Sequence, residues 1–82
     1  MKKLPRDLSS DDLCKALSVL GYEVTRQTGS HIRLTTREGG EHHITIPRHS
    51  PLRVGTVAAV LAEVAAHLGT TRKELQERLF GE

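Results

Sequence analysis

The chain has 82 residues, with 12 Lys and Arg against 10 Asp and Glu, a formal charge of +2, and only Tyr22 and Phe80 as aromatics. A chain this short is expected to form one domain over residues 1–82 and to bury only roughly 60% of its unfolded surface, so a nucleotide-binding domain joined to a substrate domain is excluded. No apolar run approaches the ~18 residues needed to span a bilayer, and two aromatics leave little for stacking unpaired bases.

Ser9 and Ser10 precede Asp11-Asp12, which sets acidic groups at the positive end of a helix. Ser9 and Asp12 have capping-box spacing. Leu13, Leu17 and Leu20 recur on one face, and Gly21 is placed to end the helix in a left-handed conformation, predicting a helix over 10–20. Tyr22 to Gln27 is β-prone and alternating, and Thr28-Gly29-Ser30 reads as a turn. His31 to Thr36 alternates, with Ile32 and Leu34 on one side and His31, Arg33 and Thr35 on the other. Arg37-Glu38-Gly39-Gly40 forms a second turn. His42 to Ile46 is a third strand, closed by Pro47.

A loop over 47–55 leads to a helix starting at Gly55 or Thr56. Its stripe is Val57, Val60, Leu61, Val64 and Leu68, and Gly69 ends it. Thr71 and Glu74 have the spacing of a capping box for a last short helix, whose Leu75, Leu79 and Phe80 pack back. The expected fold class is α+β: a three-stranded antiparallel sheet with two helices on one face, plus a short C-terminal helix. His31, Arg33, His43 and Thr45 would lie on the open face.

Charge is uneven along the chain. Lys2, Lys3 and Arg6 give +3 at the start, residues 7–23 carry −3, residues 24–56 carry +3, and the remainder −1. His31, His42, His43 and His49 also fall in the basic centre. This is the footprint of a phosphate-bearing partner, or equally of a solvated sheet face. The single cysteine, Cys14, excludes an internal disulfide. With Met1-Lys2-Lys3 leading into Leu4-Pro5-Arg6-Asp7 and no apolar signal core, the expected location is the cytoplasm.

The context of His31 is the sharpest chemical feature. Imidazole exchanges protons near neutral pH, and Arg33 points the same way with a phosphate-binding charge. This pair suits RNA cleavage, in which a 2′-OH is deprotonated and attacks the adjacent phosphorus without requiring a metal. The competing reading is a solvated surface histidine. Adjacent His42 and His43 point to opposite faces and do not share an ion, and no spacing matches a zinc pattern. His67, late in the second helix, reads as structural, and Cys14 as a small hydrophobe.

The run Leu4-Pro5-Arg6-Asp7-Leu8-Ser9, then Leu13, Ala16-Leu17, Leu20-Gly21-Tyr22-Glu23-Val24, Arg26-Gln27 and Gly29-Ser30-His31-Ile32-Arg33, resembles the HicA toxin family. So does Ile44-Thr45-Ile46-Pro47-Arg48-His49, followed by Leu52-Arg53, Gly55-Thr56-Val57 and Val60-Leu61. The resemblance covers about residues 3–80. It implies a double-stranded-RNA-binding-domain-like α-β-β-β-α fold, a ribonuclease that cleaves messenger RNA, and a HicB-like antitoxin that masks the active site. It places the catalytic histidine at His31, presented by Gly29 and Ser30. Arg26, Arg33, Arg48, His49 and Arg53 are the expected RNA-binding groups, with no cofactor. Where the family often has a lysine and a proline, this chain has Arg53 and Val54. Arginine keeps the charge but presents a planar fork. The alternatives are a non-catalytic RNA-binding module of the same fold, or a degenerate member that binds only an antitoxin-like partner.

Overall fold

The computed structural model describes residues 8–49 and 51–81. The basic residues Lys2, Lys3 and Arg6, and the start of the resembling motif at Leu4–Asp7, lie outside them.

The first helix, α1 (Ser10–Ser18), begins as its sequence requires. Ser9 Oγ accepts the Asp12 N–H at 3.0 Å, and the Asp12 carboxylate accepts the Ser9 N–H at 3.1 Å. Two orphan donors are thereby satisfied. These bonds, the backbone one foremost, hold the Asp12 carboxyl below its usual range. The helix ends two residues earlier than its hydrophobic spacing suggests. The amides of Val19 and Leu20 bond three residues back, to Ala16 and Leu17, which tightens the last turn while Leu20 stays buried. Gly21 follows at φ +87°, and a Cβ there would stand 2.6 Å from Cγ of Glu38. Both the backbone conformation and the close approach call for glycine.

Strands β1 (Glu23–Gln27), β2 (His31–Thr36) and β3 (His42–Pro47) form an antiparallel sheet in chain order, as expected. Ile32 and Leu34 lie opposite Ile46 and Ile44, and all four are buried. Arg33 lies opposite Thr45, and Thr35 opposite His43, on the other face. The edge strand β1 departs from plain alternation. Between Val24 and Arg26 two residues advance on β1 for one on β2, so Thr25 is the extra residue of a bulge.

Helix α2 (Val54–Leu68) starts at Val54, one or two residues before the expected Gly55 or Thr56. The Val57 amide closes the first helical bond onto the Arg53 carbonyl at 3.1 Å, making Arg53 the N-cap without a side-chain cap. Its stripe of Val57, Val60, Leu61 and Val64 is buried, together with Leu13, Leu17 and Tyr22. Gly69 ends α2, and the Thr70 amide returns to the Ala65 carbonyl at 2.9 Å. Helix α3 (Arg72–Phe80) turns off α2 by 107° and buries Leu75, with Leu79 and Phe80 packed at the margin. Its expected capping box is half formed. Thr71 Oγ1 accepts the Glu74 N–H at 3.1 Å, but the Glu74 carboxylate turns to the Thr71 hydroxyl and not to its amide. No single helix among the described residues is long and apolar enough to cross a membrane.

Candidate active site

The β1–β2 turn holds His31 from several sides. The Thr28 hydroxyl accepts the His31 N–H at 3.1 Å, and the Thr28 amide donates to the His31 carbonyl at 2.9 Å. Across the turn, the Arg48 amide donates to the Ser30 carbonyl at 2.9 Å, which ties the end of β3 to the same turn. The imidazole itself is exposed. Its Nδ1 lies 3.0 Å from Ser30 Oγ, and its Nε2 has no hydrogen-bond partner among the described residues. Ser30 can therefore steady the ring whether Nδ1 donates or accepts, while Nε2 faces solvent. At Gly29 a side chain would meet nothing within 4 Å, and the backbone is not left-handed. The fold thus has no steric need of glycine there, and the turn leaves its backbone open to a close-approaching group.

Arg33 stands two residues along β2 on the same face. The bulge changes its neighbour. Strict alternation from Val24 would send Arg26 towards the core side, but the register sets Arg26 opposite Arg33. Two guanidinium groups thereby share the open face. Among the described residues the only ion pairs involve histidines, so neither arginine meets a carboxylate. Neighbouring like charges without a counter-ion favour an anion between them.

The expected site residues separate into two groups. Gly29, Ser30, His31, Arg33 and Arg26 are brought together, with Arg48 joined to them through Ser30. His49 lies one residue further, where its carbonyl accepts the Ser10 amide at 3.0 Å. Arg53 caps α2, and no hydrogen bond connects it to the His31 turn.

The remaining histidines sit at the other end of the sheet. His42 points to the helix side, where its Nδ1 lies 2.8 Å from the Tyr22 hydroxyl and its Nε2 3.6 Å from the Glu63 carboxylate. Its ring stacks on His67 at 4.3 Å. His67 Nε2 donates to the carbonyls of Glu38 and Gly40, at 2.9 and 3.1 Å. Burial, then the Glu63 charge, pushes the Tyr22 phenol up to about 12. With one ring proton, held on Nε2 towards the Glu63 carboxylate, His42 accepts the phenolic O–H at Nδ1. His43, on the open face, has its Nε2 2.9 Å from Glu41 and its Nδ1 2.7 Å from Thr35 Oγ1. The adjacent pair thus points to opposite faces, as alternation requires. Among the described residues no three His, Cys, Asp or Glu side chains converge. Cys14 packs at the core margin, where burial and then Asp11 raise its thiol. It is therefore mostly a thiol and not the reactive thiolate.

Sequence reading did not find the Tyr22–His42–His67 cluster or the Glu41–His43–Thr35 array. Apart from Glu41 and His43, which are two residues apart, their members come from separate elements that only the folded chain brings together.

A family profile described as the HicA toxin of bacterial toxin–antitoxin systems matches residues 10–65, from the start of α1 through most of α2. This span includes the His31 turn and all three strands. No curated protein and no solved structure gave a significant match.

Proposed function

Because the chain belongs to the HicA toxin family, we propose that it is a toxin ribonuclease that cleaves messenger RNA, with His31 moving the proton and no metal required. The observation that carries this reading is the exposed His31 imidazole, whose Nε2 is unpartnered among the described residues beside the unpaired Arg33 and Arg26. His31 Nε2 takes the proton of a ribose 2′-OH. The 2′-oxygen bonds to the adjacent phosphorus, and the bond from phosphorus to the 5′-oxygen breaks. The leaving oxygen receives a proton from the imidazolium or from water, and a cyclic phosphate remains. Arg33 and Arg26 hold the phosphate as charge builds on its oxygens. Arg48 adds charge at the same end. His49 and Arg53 extend the basic surface along the loop.

The family pairs such a toxin with an antitoxin. A HicB-like partner that presents carboxylates to the open face would neutralise the same arginines the substrate needs. Both molecules would meet in the cytoplasm.

The test is incubation of RNA with the protein and its His31→Ala variant in EDTA. Cleavage by the wild type alone, with cyclic-phosphate ends, is expected. Equal cleavage by both overturns the role of His31. Cleavage only after addition of a divalent cation overturns the mechanism. Salt-dependent RNA binding without scission would make the chain a binding module.

A further inference from the structure

The open face continues beyond His31 into a second ordered array. The Thr35 hydroxyl lies 2.7 Å from His43 Nδ1, and Glu41 lies 2.9 Å from His43 Nε2. The Thr25 hydroxyl, on the same exposed face, lies 2.9 Å from Thr35 Oγ1 and 3.5 Å from the Arg33 carbonyl. Thr35 is four residues along β2 from His31, about 13 Å at ~3.3 Å per residue. An acid or base must approach its proton to roughly 3 Å. His43 and His31 therefore do not act on one phosphodiester, and His43 serves a different part of whatever lies along the strand.

Beside Thr25 and Thr35 opens a cleft of about 410 Å³, walled by Glu23, Arg37 and Glu38. That volume lies within the range of small-molecule sites. The proton inventory of its walls follows from the hydrogen bonds. When His43 carries a single ring proton, Glu41 holds it on Nε2, so that Nδ1 accepts the Thr35 O–H. Thr35 Oγ1 then accepts the Thr25 O–H, whose other nearby acceptor is also within the sheet. Both hydroxyl protons are used internally, and the Thr25 oxygen is left as an acceptor. Neither Glu23 nor Glu38 has an ion-pair partner among the described residues. The cleft is acceptor-rich, with the Arg37 guanidinium as its one cationic donor.

We propose that this cleft is a nucleobase subsite that selects guanine in RNA lying along β2, an inference that rests on the ribonuclease reading. Guanine alone among the four bases offers two adjacent N–H groups that a carboxylate can accept together. It also carries the O6 and N7 acceptors that an arginine fork matches. The cleft carboxylates, Glu23 and Glu38, face the first edge and Arg37 the second. Adenine, cytosine and uracil each set an acceptor beside their N–H donors, against a carboxylate. His43 is a positioning residue here, acting through Thr35.

Cleavage of an RNA pool with randomised sequence, with product ends mapped by sequencing, tests the subsite. Guanine should be enriched roughly ten- to a hundred-fold at one fixed position relative to the cut, the range a good bidentate contact gives. Inosine at that position, lacking one N–H donor, should lose most of the preference in the wild type. In Glu23→Gln and Glu38→Gln the guanine-to-inosine ratio should fall towards one. His43→Gln should lower the ratio more than the rate. Cleavage without enrichment, or a ratio unmoved by both glutamate variants, overturns the subsite and leaves the ribonuclease reading intact. If the wild type cleaves nothing, that reading fails, and the subsite is judged by fluorescence anisotropy of His31→Ala with guanine- and inosine-bearing oligonucleotides. Tighter guanine binding that Glu23→Gln abolishes supports it. Equal binding overturns it.

Discussion

The two ends of the sheet each carry histidines, and they use them differently. At the His42–His67 end each ring is bound by neighbours. Tyr22 and Glu63 hold His42, two carbonyls of the β2–β3 turn hold His67, and the rings stack on one another. At the His31 end the backbone is tied as tightly, through Thr28 and Arg48, yet the ring keeps one nitrogen open and stands next to uncompensated positive charge. A histidine whose ring the fold holds by hydrogen bonds and stacking, as it holds His42 and His67, contributes to stability. One whose backbone is fixed while a ring nitrogen faces solvent is arranged to exchange protons with something else. The difference lies in partners, since both ends are built from the same short strands.

That comparison breaks most visibly if His31 is removed. His31→Ala should lower RNA cleavage by at least 100-fold, the lower end of what a positioned acid–base group contributes at about 10²–10⁴. Its stability should stay within about 0.5 kcal/mol of the wild type, as at other exposed positions. Parallel cleavage assays and urea denaturation would check both halves. A large loss of stability would place His31 with the structural histidines.

The opposite pattern is expected from His67→Ala. This change removes the donor shared by the Glu38 and Gly40 carbonyls and the ring stacked on His42. The expected cost is about 1–2 kcal/mol, from a hydrogen bond of ~1 kcal/mol and a modest stacking contribution. Cleavage per folded molecule should be retained, since the cluster faces away from the open side of the sheet. Denaturation midpoints and initial rates, measured together, separate the two effects. A cleavage defect without a stability defect would reverse the assignment.

Much of this contrast was written locally. Ile32 and Leu34 against Ile44 and Ile46 define the buried face through alternation alone, and the same alternation sends His42 and His43 to opposite sides. Ser9 and Asp12 announce the start of α1, and Gly29-Ser30 puts His31 at the head of β2. Three things were not local. The bulge at Thr25 carries no glycine or other marker, so the turning of Arg26 towards Arg33 appears only once β1 pairs with β2. Tyr22 meets His42 across 20 residues, and His67 reaches the β2–β3 turn across more than that. The half-formed Thr71–Glu74 box shows the converse: the spacing permits a reciprocal bond, but the carboxylate accepts from the Thr71 hydroxyl in place of its amide. Residue types and spacing therefore indicated which histidine to examine. The partners that make it available, and those that immobilise the others, depend on tertiary structure.

The smallest effect, and the most selective in pH, is expected at Tyr22. Tyr22→Phe keeps the buried ring and deletes only the hydroxyl that donates to His42, so it should cost about 1 kcal/mol at neutral pH. Burial, followed by Glu63, raises the folded phenol from 10.0 to about 12. A raised folded value means that the native state holds the phenolic proton more tightly than the unfolded chain. Its contribution is complete below pH 10 and is lost as pH rises towards 12. The wild type should therefore lose stability across that alkaline interval more steeply than Tyr22→Phe, and the gap between them should narrow. Urea denaturation of both proteins at a series of pH values reads this directly, because the other titrating groups are common to the pair. A constant gap from neutral pH to pH 12 would mean that the native state does not hold the phenolic proton more tightly than the unfolded chain does.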